Sequence, residues 1–486
     1  MALPLGELTH DNFLTQKADK AAVLARFKAT ESSLWKLPNE VIIMIFSRCT
    51  SIVILGSYFI RPSRRLKVVE PWNLSHVCSA WREIALGTPA LWNNIILCLD
   101  KTKEEECARQ SSMLQLCLSR TRSSLISLRI QGSPPLLTWN TTGRLIVDSV
   151  RLCISRVHHL SLGSLVLFQH IFAKLPRGIA GSLASLSVQL SCEREDARDN
   201  APSDISIVEA ACHLRNVTIP VGNVQISHLI HFSFPWACIT ELEITAVDKY
   251  AYDVTFVEGH GILGQCKSLV SCTLTIPPDE ACLQALVHPS DTVLEKLQSL
   301  TLMANYHLQH GLFLQPFVLP ALKCLKILSK PWASWSSEAL ISLIQRSLCL
   351  LEHLESRCAG SDEISGLLSE VPSLLEMSLW DLKPHLAEEM LTAIGNGDVV
   401  PRLRGFQCEI KDAGVLLDML EEDSTPFKSI KSLLLHGNPE RAPEGVRDSL
   451  YRLLKRRIVN KVVDGEGISR LVTWHYDEIQ NEEDWI

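Results

Sequence analysis

The sequence predicts a mixed α/β protein, in which a small all-α unit near the N terminus precedes a solenoid with a curved parallel sheet and helices outside. Two observations lead to this prediction. Residues 34–98 contain two apolar stripes at helical spacing. From residue 99 onward, a short pattern of alternating apolar residues recurs along the chain. The 486 residues are enough for both parts.

The composition excludes several classes of function. Apolar residues make up 46% and charged residues 21% of the chain, as in ordinary folded proteins. A formal net charge of −7 offers no basic field for nucleic acid, and no apolar run reaches the roughly 18 residues of a membrane-spanning helix. The 16 cysteines include no C-x-x-C pair, and the N terminus shows no secretory pattern. We therefore expect reduced thiols, a location in the cytoplasm, the nucleus or both, and no nucleic-acid or membrane partner.

The helical unit begins after a polar, helical lead-in. Its first helix opens at Leu37-Pro38, because proline is tolerated in the first turn of a helix. A second helix is predicted from Asn73, a residue type that often caps helices, to Thr88-Pro89. The apolar face of the first helix is formed by Val41, Ile42, Ile45 and Phe46. The face of the second helix is formed by Leu74, Val77, Cys78, Trp81 and Ile84.

An insert at residues 50–71 separates the two predicted helices. It combines an apolar patch, Ser51–Ile60, with a basic run, Arg61–Lys67. Three interpretations remain open: a surface loop, an extra short helix, or translated sequence that a correct gene model would remove.

The remainder of the chain repeats the pattern L-x-x-L-x-L, with other apolar residues replacing some leucines. The middle residue recurs about every 28 residues on average, within the range of leucine-rich repeats. The alternative is a non-repetitive α/β domain with leucine-rich strands. The triplets are Leu125/Leu128/Ile130, Val157/Leu160/Leu162, Leu183/Leu186/Val188, Leu214/Val217/Ile219, Ile239/Leu242/Ile244, Leu269/Cys272/Leu274, Leu297/Leu300/Leu302, Leu322/Leu325/Ile327, the weak copy Leu351/Leu354/Ser356, Leu374/Met377/Leu379, Leu403/Phe406/Cys408 and Ile430/Leu433/Leu435.

Four regions follow from these patterns. We predict a polar helical lead-in at 1–33, the helical unit at 34–98 with its insert at 50–71, the repeat solenoid at 99–445, and a C-terminal cap or tail at 446–486.

Two segments of the helical unit resemble a known motif. LPNEVIIMIFSRC at Leu37–Cys49 resembles the opening of an F-box, which typically begins L-P-x-E-[VIL]. WNLSHVCSAWREIALGTPALW at Trp72–Trp92 resembles its second half, L-x-x-V-C-x-x-W-R followed by Pro and Leu-Trp. The sequence of the two segments is most similar to that of fungal F-box proteins, in which the motif precedes a divergent leucine-rich array. The insert departs from the family, whose connection is shorter. The alternative is a simple N-terminal cap on the repeats.

The resemblance implies a role in ubiquitin transfer. F-box proteins bind a Skp-type adaptor and, through it, a cullin, so this chain is expected to be a non-catalytic, substrate-recognition subunit of an SCF-type ligase. An unknown target protein is expected to bind the repeats. The residues that match the family's adaptor-binding positions are Leu37, Pro38, Ile42, Ile45, Phe46, Leu74, Val77, Cys78 and Trp81.

No catalytic motif or metal site competes with that expectation. P-loop, H-E-x-x-H, G-x-S-x-G and G-x-G-x-x-G patterns are absent from the sequence, so we expect no enzyme activity, cofactor or metal. Residues that flank the middle anchors point to the face opposite the core, predicted to be concave. There we predict target contacts at Glu241, Glu243, Thr301 and Trp380. Two alternatives remain: a leucine-rich scaffold without a ligase role, and an F-box protein that holds the adaptor outside the ligase.

Overall fold

A computed structural model gives the positions of most of the chain, and the chain divides into two compact units. The first comprises Met1–Cys98 and Glu105–Leu128, and the second comprises Leu99–Glu104 and Arg129–Ile486. The predicted lead-in at 1–33 lies outside the described residues. Those residues are 37–50, 52–55, 70–99, 104–132, 143–173, 175–176, 178–189, 211–221, 234–246, 256–276, 292–304, 313–329, 337–357, 361–380, 388–409, 432–436, 444–446, 448–449 and 471–475.

The first unit is mainly helical and also contains short strands, of which β1 (Val53–Leu55) and β2 (Asn94–Cys98) pair in parallel. In that pair, Ile54 lies opposite Ile96. The elements are α1 (Asn39–Cys49), β1 (Val53–Leu55), α2 (Pro71–Ser75), α3 (Ser79–Gly87), a 3-10 turn (Pro89–Trp92), β2 (Asn94–Cys98), α4 (Glu104–Arg120) and β3 (Ile126–Gln131), the last of which crosses the boundary between the units.

The prediction of one long second helix is wrong, because the chain breaks between α2 and α3. Asn73 lies inside α2, and the N-cap position of that helix is Glu70. Cys78 has an extended backbone, with φ −157°, and its Sγ accepts a hydrogen bond from the Trp81 N–H at 3.4 Å. A capping side chain of this kind starts a new helix. Cys78 therefore caps α3 instead of continuing an apolar stripe.

The beginning of the insert is a strand. Val53 and Leu55 are buried, and β1 pairs in parallel with β2. For these residues, neither the surface loop nor the extra helix is right. Residues 56–69 lie outside the part of the chain that the structure describes.

The second unit is a mixed α/β arrangement built on a long parallel sheet. From β4 to β17 the strands pair in chain order, except that the short β9 and β11 pair with each other. The helices are α5 (Arg144–Cys153), α6 (Leu165–Phe172), α7 (Phe256–Leu263), α8 (Ser337–Ser347), α9 (Ser361–Ser369) and α10 (Glu388–Asn396), with 3-10 turns at Ile154–Arg156 and Trp236–Cys238. The strands are β4 (Val157–Leu162), β5 (Ser185–Val188), β6 (Asn216–Val221), β7 (Glu241–Ala246), β8 (Ser271–Ile276), β9 (Thr292–Val293), β10 (Ser299–Ala304), β11 (Phe317–Val318), β12 (Cys324–Ser329), β13 (His353–Arg357), β14 (Glu376–Trp380), β15 (Gly405–Glu409), β16 (Ser432–His436) and β17 (Leu471–His475).

A backbone hydrogen-bond pattern repeats from β5 to β15. The carbonyl directly before each strand accepts two N–H groups at the start of the next strand, as Ala184 O does from Arg215 at 2.9 Å and Asn216 at 3.0 Å. This regularity is compatible with a solenoid of repeated units. The same role is taken by the carbonyls of Arg215, Thr240, Val270, Gln298, Lys323, Glu352 and Leu375.

The predicted apolar triplets supply the core of this sheet. Every triplet residue from Val157 to Cys408 is buried, together with the inner faces of the helices. At β3 the assignment is wrong by one position, because Leu125 is 52% exposed and Ile126 is buried in its place. The last triplet begins at Ile430, which lies outside the described residues.

A fourth apolar position, missed by sequence analysis, lies three residues before most of the triplets, although not before Leu351, where Leu348 is 85% exposed. Its carbonyl accepts the N–H of the first triplet residue, as Ala180 O does from Leu183 at 3.0 Å. The residues at this position are all buried: Ala180, Ala211, Trp236, Cys266, Leu294, Leu319, Val371 and Val400.

Ser356 interrupts the apolar core at β13. It lies in register between Ile327 and Leu379, is fully buried, and its Oγ has no hydrogen-bond partner among the described residues. We expect Ser356→Val to raise the free energy of unfolding by about 1–2 kcal/mol, since it removes an unsatisfied hydroxyl and adds apolar volume. Urea denaturation measures the change. Ser378→Val, on the opposite face of β14, is the control, and an equal or lower stability of Ser356→Val would contradict the expectation.

Candidate protein-binding site

The first unit has a small aromatic and aliphatic core. Ile42 and Phe46 on α1, Leu74 on α2 and Trp92 are buried. The ring of Phe46 meets Trp81 edge-on, with the centroids 4.9 Å apart. This contact joins α1 to α3, because aromatic pairs in this geometry contribute beyond the area that they bury.

The solvent-facing side of α1 also carries apolar residues, among charged ones such as Glu40 and Arg48. Met44 is 59% exposed and Ile45 is 42% exposed. Val41, which is half-buried, lies on the same side at helical spacing. The half-buried Leu37 precedes the helix. We call Val41, Met44 and Ile45 the α1 outer face. An apolar helix face that is not covered by its own unit is a feature of protein-binding surfaces.

The junction between α2 and α3 carries a further exposed apolar residue, Val77, at 53% exposure. The junction is held from both sides: Arg82 Nε donates to Ser75 O at 2.9 Å, and Ser75 Oγ donates to Trp72 O at 2.7 Å. The bond from Arg82 therefore joins α3 to the end of α2 across the junction that carries Val77.

The rings of Trp72 and Trp92 both contact the guanidinium group of Arg120. Their ring centroids lie 4.7 Å apart at an interplanar angle of 78°. The Cζ atom of Arg120, the last residue of α4, lies 4.4 Å from the centroid of Trp72 and 4.3 Å from that of Trp92. Burial lowers the pKa of Arg120, and the ring faces offset the loss of water by cation–π attraction. Trp92 Nε1 donates to Ala85 O at 2.8 Å, which joins this cluster to α3.

In the second unit, the predicted target contacts lie on the outward face of the sheet but do not form one cluster. Glu241 and Glu243 are exposed on β7, and Asn216 Nδ2 donates to Glu241 Oε2 at 2.7 Å. Thr301 on β10 shares a register row with Glu243, two strands away, or about 10 Å. Trp380 ends β14, three strands beyond β10.

The same face carries ion pairs between neighbouring strands. Lys326 on β12 pairs with Glu355 on β13 at 2.7 Å, and Lys323 and Glu352, directly before these two strands, pair at 3.1 Å. His353 Nδ1 lies 3.1 Å from Glu376 Oε2, between β13 and β14. Exposed pairs of this kind contribute little to stability, but they balance the charge of this part of the face. Within the described ranges, no group of three or more His, Cys, Asp or Glu residues could hold a metal ion. Nor does any described helix have the length and apolar character to cross a membrane.

The comparison with protein families decides the nature of the segment that contains α1, α2 and α3. Residues 34–98 match the F-box-like family. No curated protein matches the chain. The F-box-like domain therefore occupies the segment to which the two sequence motifs pointed, and it indicates an F-box adaptor role in ubiquitin ligase complexes. F-box domains are typically non-catalytic and typically bind Skp-type adaptors.

The structure separates the nine predicted adaptor-binding residues of the F-box-like domain into two groups. Ile42, Phe46 and Leu74 are buried in the core, where they support the surface from behind. The other six retain exposed surface: Leu37, Pro38, Ile45, Val77, Cys78 and Trp81. The adaptor-binding role of all nine stays a prediction.

Two residues of the first unit were missed from the sequence, Met44 within the F-box-like domain and Arg120 after it. Met44 lies beside Ile45 on the α1 outer face, and helical spacing alone gives it that position. Arg120 has no local signal, because its aromatic partners are 28 and 48 positions earlier in the chain.

Proposed function

We propose that this protein is a substrate-recognition adaptor of a cullin-based, SCF-type ubiquitin ligase. In this proposal the chain is an F-box protein of the fungal type. Its F-box-like domain binds a Skp-type adaptor, which links it to a cullin, and its divergent leucine-rich repeats bind the target protein. The observation that carries the proposal is the apolar α1 outer face within the matched segment. The cysteine pattern supports a location in the cytoplasm, the nucleus or both.

The proposed adaptor contacts are the apolar side chains of the F-box-like domain that are exposed to solvent. Ile45 on α1 and Val77 at the α2–α3 junction are large apolar side chains that the unit leaves in water. Covering such residues with a partner removes apolar surface from water, at about 25 cal/mol per Å². Met44 extends this contact, and the half-buried Trp81 offers an aromatic anchor of the kind that dominates binding energy.

The target contacts are assigned to the outward face of the second unit. Glu241, Glu243, Thr301 and Trp380 lie on that face and keep part of their side chains accessible. Since the strand backbones are already hydrogen-bonded to each other, recognition falls to these side chains.

We expect Ile45→Asp and Val77→Asp each to weaken binding to a purified Skp-type adaptor by about tenfold to one hundredfold. A carboxylate at either position must lose its water in the interface. Both positions are exposed in the free chain, so the F-box-like domain should stay folded. Titration calorimetry gives the dissociation constants, and circular dichroism checks the fold.

Leu152→Asp is the matched control, because Leu152 is 84% exposed and lies in the second unit. It should bind the adaptor as the unaltered chain does. Unchanged affinity in both the Ile45 and the Val77 variant would refute this choice of surface.

Co-purification from cells tests the wider proposal. Recovery of adaptor and cullin together, with ubiquitin transfer to a bound protein, supports the ligase function. Recovery of the adaptor without the cullin supports an F-box protein that acts outside the ligase. Recovery of neither supports a leucine-rich scaffold.

A further inference from the structure

We propose that Arg120 is a positioning residue for adaptor binding, so that the adaptor-binding unit extends through α4, beyond the segment 34–98. This inference rests on the proposed function. Arg120 lies 22 positions after the end of the F-box-like match, yet it belongs to the same compact unit.

The first step is the contact itself. The Arg120 guanidinium lies against two indole rings, 4.4 Å from the centroid of Trp72 and 4.3 Å from that of Trp92. Distances below about 6 Å place a cation in attractive contact with an aromatic ring. Trp92 is fully buried, so one wall of this site cannot move without disturbing the core.

The second step concerns the hydrogen bonding of the Arg120 guanidinium group. Its Nη1 is buried and has no hydrogen-bond partner among the described residues. A buried N–H of a charged group without an acceptor is costly, and the two rings beside the guanidinium offset this cost by cation–π attraction. The position therefore requires a flat cation, and lysine, a compact and strongly hydrated ammonium, does not replace arginine there.

The third step connects Arg120 to the exposed surface. Trp72 O accepts the Ser75 hydroxyl at 2.7 Å, and Ser75 O accepts Arg82 Nε at 2.9 Å. Val77 lies between Ser75 and Arg82, in the junction that these bonds hold. A change in the position of Trp72 therefore acts on Ser75 and Arg82, the hydrogen-bonded residues on either side of Val77, without any contact between Arg120 and the adaptor.

The test uses the full chain with Arg120→Lys and Arg120→Met, and Arg109→Ala as the control. Arg109 lies on the same helix, is exposed, and pairs with Glu106 in the preceding turn at 2.6 Å. We expect both Arg120 variants to weaken binding to a purified Skp-type adaptor by about tenfold, and the control to bind normally. Arg120→Lys keeps the charge, so a loss in this variant identifies ring stacking as the cause.

A double-mutant cycle with Val77→Ala separates positioning from general stability. If Arg120 positions Val77, the Val77→Ala change should weaken binding much less in the Arg120→Met background than alone. Additive losses, together with a lower unfolding midpoint, would show a structural role and overturn the proposal. Normal affinity in both Arg120 variants would also overturn it. Absence of binding by the unaltered chain would instead refute the proposed function itself.

Discussion

Replacing Trp92 with alanine is expected to lower the free energy of unfolding of the first unit by about 3–5 kcal/mol. The side chain is fully buried, contacts Trp72 edge-on, faces the Arg120 guanidinium and donates a hydrogen bond to Ala85 O. Alanine leaves a cavity and removes all three interactions. We expect adaptor binding to be lost as well, because α3 and the α2–α3 junction depend on this residue.

Chemical denaturation and hydrogen exchange of the first unit measure the Trp92 effect. Trp92→Phe is the informative intermediate, since it retains a ring but loses the bond from Nε1 to Ala85 O, which is worth about 1 kcal/mol. Trp380→Ala is the control, because Trp380 is only half-buried, on the outward face of the second unit. A loss below about 1 kcal/mol for Trp92→Ala would contradict the described core.

Replacing Arg151 with methionine is expected to lower the free energy of unfolding of the second unit by about 2–4 kcal/mol. Its Nη2 donates to His170 O and Ala173 O, both at 2.6 Å, and its Nε donates to Ile171 O at 3.2 Å. These carbonyls lie at the C-terminal end of α6, where helical hydrogen bonds run out and positive charge is favoured. Methionine fills the same volume and leaves all three without this donor.

Thermal and urea unfolding measure the Arg151 effect. Arg144→Met serves as the control, because Arg144 is exposed at the first position of the same helix, α5. Equal stability of the two variants would show that the three hydrogen bonds contribute nothing net.

The repeat strands could be predicted because their signal is local. Leu160, Leu186 and Leu242, for example, each stand two positions before another apolar residue, and all are buried. The fourth apolar position could not be predicted, because its residue type varies between repeats, from alanine at Ala180 to tryptophan at Trp236. Leu125 was misplaced because Leu125 and Ile126 adjoin each other, and only packing selects which one turns inward.

In the F-box-like segment, apolar spacing could not predict where one helix ends and the next begins. Apolar spacing continues through Leu74, Val77, Cys78 and Trp81, so periodicity does not distinguish one helix from two. The break depends on a cysteine cap, which is not a usual capping residue. The strand Val53–Leu55 was not predicted either, because a three-residue strand is defined by its partner, β2, some 40 positions away.

The sequence predicted which segment contains the binding site, but it did not predict which apolar residues of that segment are exposed. Both sides of α1 carry apolar residues, so hydrophobicity alone assigns Ile42 and Ile45 the same role. Burial by α3 and its neighbours separates them, and that separation depends on contacts such as Phe46 with Trp81. Arg120 required the three-dimensional structure for the same reason.

The repeated carbonyl that accepts two N–H groups has a consequence for how this protein can change over time. From β4 onward, successive middle anchors are separated by as few as 23 residues, from Leu354 to Met377, and by as many as 31, from Leu186 to Val217, yet the strands stay aligned. Backbone atoms, which every residue except proline supplies, set that alignment. Outward side chains and loop lengths are therefore free to diverge by single substitutions, insertions and deletions. Such an array can acquire a new binding partner while its architecture is inherited unchanged.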